Sequence, residues 1–367
     1  MLGTLMQGLN EKDMTAVVRS YDLHPYYYPT LFPLKESTTL TWKELEAQSG
    51  MKIAADLVAR GATSQKKTRK AVAKIVGDIP KFMISREMNE DELTDYDLMI
   101  ASTSGNPDLR RLVEVWAEDT KYCWEGIAAR AEWVALKQIS TGKLKFDNSN
   151  NAAVATEYDV DYQIPAGQKI GVKTPWNTGV SAKPFTDDFK KAIKTAKEKI
   201  GVTPKFAFMN VDTFATFASQ DEVIKKCRSV MASLADDAES VDLATVNGYL
   251  TKHKEVYKGL QIVVLDQEIT IELADGSQKT GNPFEDNVVL FSESKVLGHT
   301  FWKRPIDAVK REGSVATIAM NGHTLIKKYS EESPVKEVTE GIANLFPAWN
   351  LAGRSILMKT DNSSWNL

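Results

Sequence analysis

Histidines and cysteines are the residue types in this sequence that could bind a metal ion or act as nucleophiles. The chain contains four histidines and two cysteines: His24, His253, His299, His323, Cys123 and Cys227. No histidine lies in an HExxH pattern and the cysteines form no CxxC pair, so the spacing typical of a zinc site is absent. We therefore predict no metal ligand, and we interpret both cysteines as reduced thiols of an intracellular product.

Adjacent carboxylates could supply a general acid and a general base, and they occur at Asp187-Asp188, Asp236-Asp237 and Glu331-Glu332. The first pair is typical of a helix start, and the other two are typical of a solvated surface. The sequence also lacks the glycine-rich phosphate loops and the G-x-S-x-G nucleophile turn. We predict no catalytic residue and no cofactor, although acids from distant positions could still assemble a hydrolase site.

The charge balance bears on which partners are possible. The 367 residues include 46 basic and 49 acidic side chains, for a net charge of −3. Proteins that bind nucleic acids usually carry a strongly basic domain or stripe. The nearly balanced charge of this chain therefore does not favour a nucleic-acid-binding protein. No apolar run approaches the roughly 18 residues that span a bilayer. The first residues also lack the features of a signal peptide, so we expect synthesis in the cytoplasm and no contact with a membrane.

Aromatic residues and prolines dominate the segment from Tyr21 to Pro33. It holds four tyrosines, one phenylalanine and three prolines in thirteen positions. Proline spacing disfavours a helix and a central strand, so we predict an extended arm over residues 1–37. Such an arm either packs on its own domain or lies on a neighbouring subunit. In the second case the contact residues would be Tyr26, Tyr27, Tyr28 and Phe32.

Opposite charges are separated along residues 38–98. Alternation over Ser37–Leu45 and Met51–Val58 predicts the two strands of a ribbon. Six basic and no acidic residues fall between Arg60 and Lys74, and six acidic and no basic residues fall between Glu87 and Asp97. Such runs are often only solvated surface. The alternative is a protruding ribbon whose basic tip binds an acidic patch of another subunit. The tip would be Lys66, Lys67, Arg69 and Lys70, and the acidic base of the loop would be Glu90, Asp91 and Glu92.

The clearest predicted element is a helix over residues 107–140. Pro107 suits a first helical position, and apolar residues recur at three- and four-residue spacing as far as Ile139. Gly142 follows as a stop signal. A helix of this length measures about 50 Å, well above the average in globular proteins.

The remaining chain alternates between helix and strand patterns. Helices are predicted from Thr186 to Ile200 and over Asp212–Arg228 and Val241–Leu250. Strands are predicted at Lys205–Asn210, Gly259–Asp266, Ile269–Leu273, Gln278–Thr280, Asn287–Phe291, Gly298–Lys303, Thr324–Tyr329 and Arg354–Lys359. The segment Gly341–Asn350 is assigned to neither state. The predicted fold class is α+β.

The order of these parts resembles the phage lambda major head protein family, whose members share the HK97 fold. Four segments carry the resemblance: IPKFMISREMNEDEL, FTDDFKKAIKTAKEKIGVTPKFAFMN, YKGLQIVVLD and LFPAWN. It implies an HK97-like capsid fold with an N-arm at 1–37, an extended β-hairpin loop at 38–98 and a peripheral domain at 99–184. The helix over 107–140 would be the spine helix of that domain. An axial domain would follow at 185–320, and residues 321–367 would return to the peripheral domain.

The resemblance implies a structural subunit of an icosahedral bacteriophage head that is not an enzyme. Copies would assemble into hexamers and pentamers in the host bacterial cytoplasm and enclose double-stranded DNA without sequence-specific binding. Portal, scaffolding and decoration proteins would be further partners. The alternatives are an encapsulin-like nanocompartment, a soluble α/β enzyme, or a tail or adaptor protein. A DNA-free shell with enzyme cargo would indicate the first alternative, and a small oligomer with a polar pocket would indicate the second.

Overall fold

A computed structural model describes residues 11–45, 74–102, 109–152, 158–229, 239–273, 275–309 and 316–365. These residues form nine α-helices: α1 (Glu11–Arg19), α2 (Tyr28–Leu31), α3 (Glu90–Ser102), α4 (Leu109–Thr141), α5 (Lys190–Lys199), α6 (Val211–Ala218), α7 (Asp221–Arg228), α8 (Leu243–Lys252) and α9 (Lys254–Tyr257). A π-helical segment, Pro184–Phe189, leads into α5.

Seventeen strands complete the described elements. They are β1 (Leu34–Glu36), β2 (Thr41–Leu45), β3 (Lys74–Asp78), β4 (Lys81–Met88), β5 (Lys143–Lys145), β6 (Asp159–Asp161), β7 (Lys169–Gly171), β8 (Phe206–Asn210), β9 (Gln261–Leu265), β10 (Ile269–Glu272), β11 (Gln278–Gly281), β12 (Val288–Ser292), β13 (Gly298–Lys303), β14 (Thr317–Asn321), β15 (Thr324–Glu332), β16 (Val335–Trp349) and β17 (Ile356–Lys359).

The long helix is confirmed as α4, which has 33 residues. It ends where Gly142 adopts a positive φ of 75° and its N–H bonds the carbonyl of Gln138 at 2.9 Å. A glycine in this conformation ends helices without the steric penalty that a Cβ would bring. The stop signal in the sequence therefore has a direct structural cause.

A six-stranded sheet lies against α4. Its order is β1-β13-β16-β15-β14, and β4 also pairs with β16. The 15-residue strand β16 was not predicted, because it mixes charged and apolar residues and contains Gly341 and Pro347. Pro347 is tolerated in register with Thr300, and its carbonyl accepts a hydrogen bond from Nε2 of Gln138 at 2.6 Å.

Gly341 sets the distance between this sheet and α4. A Cβ at this position would lie 2.6 Å from the carbonyl oxygen of Cys123 in the helix. Real Cβ atoms do not approach oxygen so closely, so any side chain here would push the helix off the sheet. The glycine that obscured the strand in the sequence is therefore needed for helix–sheet packing.

A five-stranded sheet separates two hydrophobic cores. Its order is β7-β17-β12-β8-β9. Alternate residues of β12 point to opposite sides, so Val288 and Leu290 enter the core that contains α4. Val289 and Phe291 enter a second core, which α5 to α8 cover. The two-residue period of a strand thus places one sheet between both cores.

The extended ribbon differs from the prediction in its pairing. Strand β2 pairs antiparallel with β3, so the partner of Thr41–Leu45 is Lys74–Asp78. The predicted partner, Met51–Val58, lies outside the described residues. Trp42 anchors the ribbon because it is buried and stacks on Phe346, with ring centroids 5.1 Å apart. The anchored end of the ribbon is thus where the chain enters and leaves the predicted loop.

Two local predictions need correction. The segment Tyr21–Pro33 was expected to contain no helix, yet Tyr28–Leu31 forms one turn with Pro29 near its start, where proline is tolerated. The arm also contains α1, which was not predicted. The single helix predicted over Asp212–Arg228 is two helices. The chain turns at Gln220, whose buried side chain accepts the N–H of Ala182 at 3.0 Å and donates to the carbonyl of Trp176.

Strand pairing crosses the predicted domain boundaries, which stay a prediction. Gly298–Lys303, predicted as axial, pairs with β16 in the six-stranded sheet. Ile356–Lys359, predicted to return to the peripheral domain, pairs with β12 in the five-stranded sheet. Lys169–Gly171 joins that same sheet. The strands of the two sheets are therefore interleaved along the chain, since hydrogen bonding between distant strands decides which sheet a strand joins.

Candidate assembly surface

The predicted assembly residues of the N-arm fall into two groups. Tyr28 and Phe32 have no exposed area and belong to the core around α4. A fully buried side chain offers no surface to another chain, so this fold does not favour the predicted contact of Tyr28 and Phe32 with a neighbouring subunit. The other interpretation of the arm, packing on its own domain, describes these two residues.

Tyr26 and Tyr27 are only partly buried. The hydroxyl of Tyr27 accepts the N–H of Asp266 at 3.3 Å, and the hydroxyl of Tyr26 donates to the carbonyl of Glu125 at 3.4 Å. Both rings keep a surface that another molecule could reach. Contact with a neighbouring subunit stays a prediction for these two tyrosines.

A buried carboxylate of α4 holds the arm in place. Glu132 has no exposed area, and its two carboxylate oxygens accept the N–H groups of Tyr27 and Tyr28 at 3.0 and 2.6 Å. Burial raises the pKa of Glu132 to about 7, and the two N–H bonds offset part of this rise. Glu132 thus binds the first N–H groups of α2 from a position that water does not reach.

The turn between β14 and β15 holds the arm at two further points. Nδ2 of Asn321 donates to the carbonyls of Val18 and Tyr21, both at 3.0 Å. The ring of His323 bonds the hydroxyl of Tyr28 at 2.8 Å, and burial lowers the pKa of His323 to about 4. The histidine is therefore neutral at pH 7, and its role in this chain is to position the arm.

We expect Glu132 to make the stability of the subunit depend on pH. Its pKa rises from 4.5 in the unfolded chain to about 7 in the folded chain, so folding favours the protonated acid. The contribution of Glu132 to the free energy of unfolding should therefore be greatest below pH 4.5 and fall by up to about 3 kcal/mol as pH rises through 7. Glu132→Gln, which mimics the protonated acid, should remove this fall.

The measurement is urea unfolding of dissociated subunits at pH 5 and pH 8, followed by tryptophan fluorescence. Wild type should lose more stability between the two pH values than Glu132→Gln. Equal losses in the two proteins would show that Glu132 does not titrate in this range.

The acidic residues at the base of the loop form the first turn of α3. Glu90, Asp91 and Glu92 are all exposed. Glu92 also has a local role, because it accepts the N–H of Asn89 at 2.9 Å while Asn89 Oδ1 accepts the N–H of Glu92 at 3.0 Å. This reciprocal pair is a capping box. Glu90 and Asp91 therefore remain the better candidates for contact with another subunit.

The four basic residues predicted for the loop tip, Lys66, Lys67, Arg69 and Lys70, lie outside the described residues. Their anchor, the β2–β3 ribbon, lies on the edge of the α4 core through Trp42. Gly77 packs on the ring of Trp42, because a Cβ there would lie 2.8 Å from it. The two strands that flank the predicted loop are thus held by the packing of Trp42.

A buried ion pair beside α4 was not predicted. Nζ of Lys328 lies 3.2 Å from Oε1 of Glu337, and the two side chains are 1% and 0% exposed. Asp119 of α4 is also buried and lies 3.4 Å from a guanidinium nitrogen of Arg86. The only feature of the sequence that could have indicated a buried Lys328 is the alternation of β15, which places Lys328 on the same face as the apolar Ile326.

The described ranges contain no group of three histidine, cysteine or carboxylate residues placed to hold a metal ion. In the same part of the chain, no helix combines the length and the apolar character needed to cross a bilayer.

Comparison with known proteins identifies the architecture. A family model for phage major capsid protein E matches residues 12–352. No curated protein matches the sequence. The fold is similar to that of the prophage capsid protein of E. coli CFT073, with a TM-score of 0.58, 15% identity and coverage of 96% of this chain and 99% of the other. It is also similar to a phage-related protein from Bordetella bronchiseptica RB50, with a TM-score of 0.53, 14% identity and coverage of 95% and 96%.

These likenesses confirm the predicted HK97-like capsid fold. The family match favours a phage head protein over an encapsulin-like compartment. Because the family model spans nearly the whole described chain, this protein belongs to the phage major capsid protein E family and is a structural subunit of a phage head.

Proposed function

We propose that copies of this chain assemble into hexamers and pentamers, which close into an icosahedral head around packaged double-stranded DNA. The observation that carries the proposal is the family match over residues 12–352, together with the antiparallel ribbon formed by β2 and β3. Each copy is expected to bury more than about 2,000 Å² against its neighbours, as subunits of obligate assemblies do.

The charge of the chain fits a wall beside packaged DNA. A net charge of −3 supplies no general attraction for phosphates, so the inner surface can face DNA without binding it tightly. We infer that stability of the head comes from contact area between subunits, with no chemical step by this chain. Portal, scaffolding and decoration proteins are the further partners that we propose, with assembly in the host cytoplasm and a final place in the virion.

The extended loop is the segment that we propose for contact between neighbouring copies. Its basic tip, residues 66–70, would bind exposed acids of the next subunit. Glu90 and Asp91 are the candidates, because they are exposed and in the first turn of α3. Tyr26 and Tyr27 would add contacts from the arm. Ordering of such segments on a neighbour makes assembly cooperative.

Electron microscopy of the purified chain, expressed alone, tests the proposal. Closed shells of uniform size, or ring-shaped capsomers that close when a scaffold is added, are the expected result. A small globular oligomer under both conditions would overturn it. Shells that copurify with an enzyme cargo instead of DNA would identify a nanocompartment.

A further inference from the structure

One face of the six-stranded sheet lies away from α4 and carries a hydrophobic cluster of its own. Ala308, Leu325 and Ile342 are buried there, and Ile318 and Met320 pack against them. None of these five residues belongs to the core that contains α4. This face, called the outer face below, is thus a second apolar surface of the same sheet.

Large apolar side chains remain exposed beside this cluster. Met83 is in register with Ile342 and is 54% exposed. Ile306 and Val309 flank Ala308 in the chain and are 70% and 59% exposed. A patch of this kind, next to a buried apolar cluster, is typical of a surface that another protein covers.

The position of this patch is held by an ion pair. Nζ of Lys81 lies 3.1 Å from Oδ2 of Asp307, which ties β4 to the segment that carries Ile306. Ala308 follows Asp307 directly and packs into the cluster. Met83, Ile306 and Val309 are therefore presented together by the folded subunit.

Charged side chains on the outer face are paired across its strands. Lys327 lies 3.4 Å from Glu340, and Lys336 lies 2.9 Å from Glu87. A cation that is paired within the chain has less attraction for phosphate, so the outer face is a poor surface for DNA. A surface with paired charges and exposed apolar groups fits an apolar protein partner.

We propose that the outer face, through Met83, Ile306 and Val309, is a contact surface for a second copy of this chain in the assembled head. The inference rests on the proposed function, since a head subunit meets copies of itself as its most abundant partner. It goes beyond that function because the proposed function assigns no role to Met83, Ile306 or Val309.

Methionine oxidation tests the contact in the unmodified protein. An exposed thioether is oxidised readily, and a covered one is protected. Peroxide oxidation of Met83, measured by peptide mass spectrometry, is expected to be at least about fivefold slower in shells than in unassembled subunits. Met209 and Met358 are fully buried and serve as internal references that should react slowly in both samples. Equal rates for Met83 in the two samples would overturn the proposal.

A double substitution tests whether the contact is needed. Met83→Glu with Ile306→Glu should leave thermal unfolding of the subunit nearly unchanged, because both positions are exposed, while the yield of shells falls at least about tenfold. The matched control is Met83→Leu with Ile306→Leu, which keeps the surface apolar and should assemble like wild type. If the glutamate variant does not fold, the oxidation result alone decides.

The outcomes separate this inference from the proposed function. Normal shells from the glutamate variant would refute the contact between copies and leave the head function intact. If those normal shells fail to bind a decoration protein that wild-type shells bind, the outer face serves that partner and the inference is equally wrong. Failure of the wild-type chain to form any shell, alone or with a scaffold, would instead refute the proposed function.

Discussion

A subunit in which Lys66, Lys67, Arg69 and Lys70 are all replaced by glutamate is expected to fold, stay soluble and form no shells. Each substitution changes the charge by −2, so the four together change the net charge from −3 to −11. The altered tip would then repel the exposed acids of the next copy, here proposed to be Glu90 and Asp91. At about 0.1 M salt the Debye length is about 10 Å, so charges in contact between subunits still interact. Electron microscopy and sizing under this condition would measure the loss of shells.

The control must separate the position of the charges from the net charge. Substituting glutamate for four exposed lysines of α5, Lys190, Lys194, Lys197 and Lys199, produces the same change of −8. That variant should still assemble. Adding Glu90→Lys and Asp91→Lys to the tip variant should restore shells if these acids are the partners. Shells of normal size from the tip variant at moderate salt would mean that the tip is only solvated.

Lys328→Met is expected to lower the free energy of unfolding by about 3–5 kcal/mol. The substitution removes the ammonium group that lies 3.2 Å from Glu337, whose side chain has no exposed area. The same ammonium group also favours the charged form of the buried Asp119. Removing one cation therefore leaves two buried carboxylates with less compensation. Urea unfolding of the dissociated subunit, followed by tryptophan fluorescence, measures the loss.

Two controls make this result specific. Lys328→Met combined with Glu337→Leu removes both charges of the pair and should recover most of the lost stability. Lys194→Met removes one partner of an exposed pair with Glu198, in which the side chains are 76% and 58% exposed, and should cost less than about 1 kcal/mol. Similar losses for Lys328→Met and Lys194→Met would show that burial does not strengthen the first pair.

The sequence and the structure agree best where the signal is local. The spine helix was predicted at 107–140 and is observed at Leu109–Thr141, because its apolar spacing and its terminal glycine act within a few turns. The strand Gly298–Lys303 was predicted with the observed bounds. Its pairing with β16 was not predicted, since alternation indicates a strand and does not indicate which strand lies beside it.

In the N-arm, too, local sequence features were predictable and contacts with distant residues were not. Composition indicated that Tyr21–Pro33 could not form its own core, and the structure confirms that it packs on other elements. Which aromatic rings are buried depends on Glu132 of α4 and on the β14–β15 turn, both far away in the chain. No pattern within the arm distinguishes Tyr28 from Tyr27.

By itself, the sequence determined a long helix, a charge-separated loop and an α+β chain without a recognisable catalytic or metal-binding motif. Periodicity, turn residues and charge order are properties of neighbouring residues, so they can be recognised along the chain. The tertiary structure decided the partners of β16, the interleaving of the two sheets, the buried Lys328–Glu337 pair and the exposed Met83. These features depend on which distant residues meet, and the free energy of burial acts only once they have met.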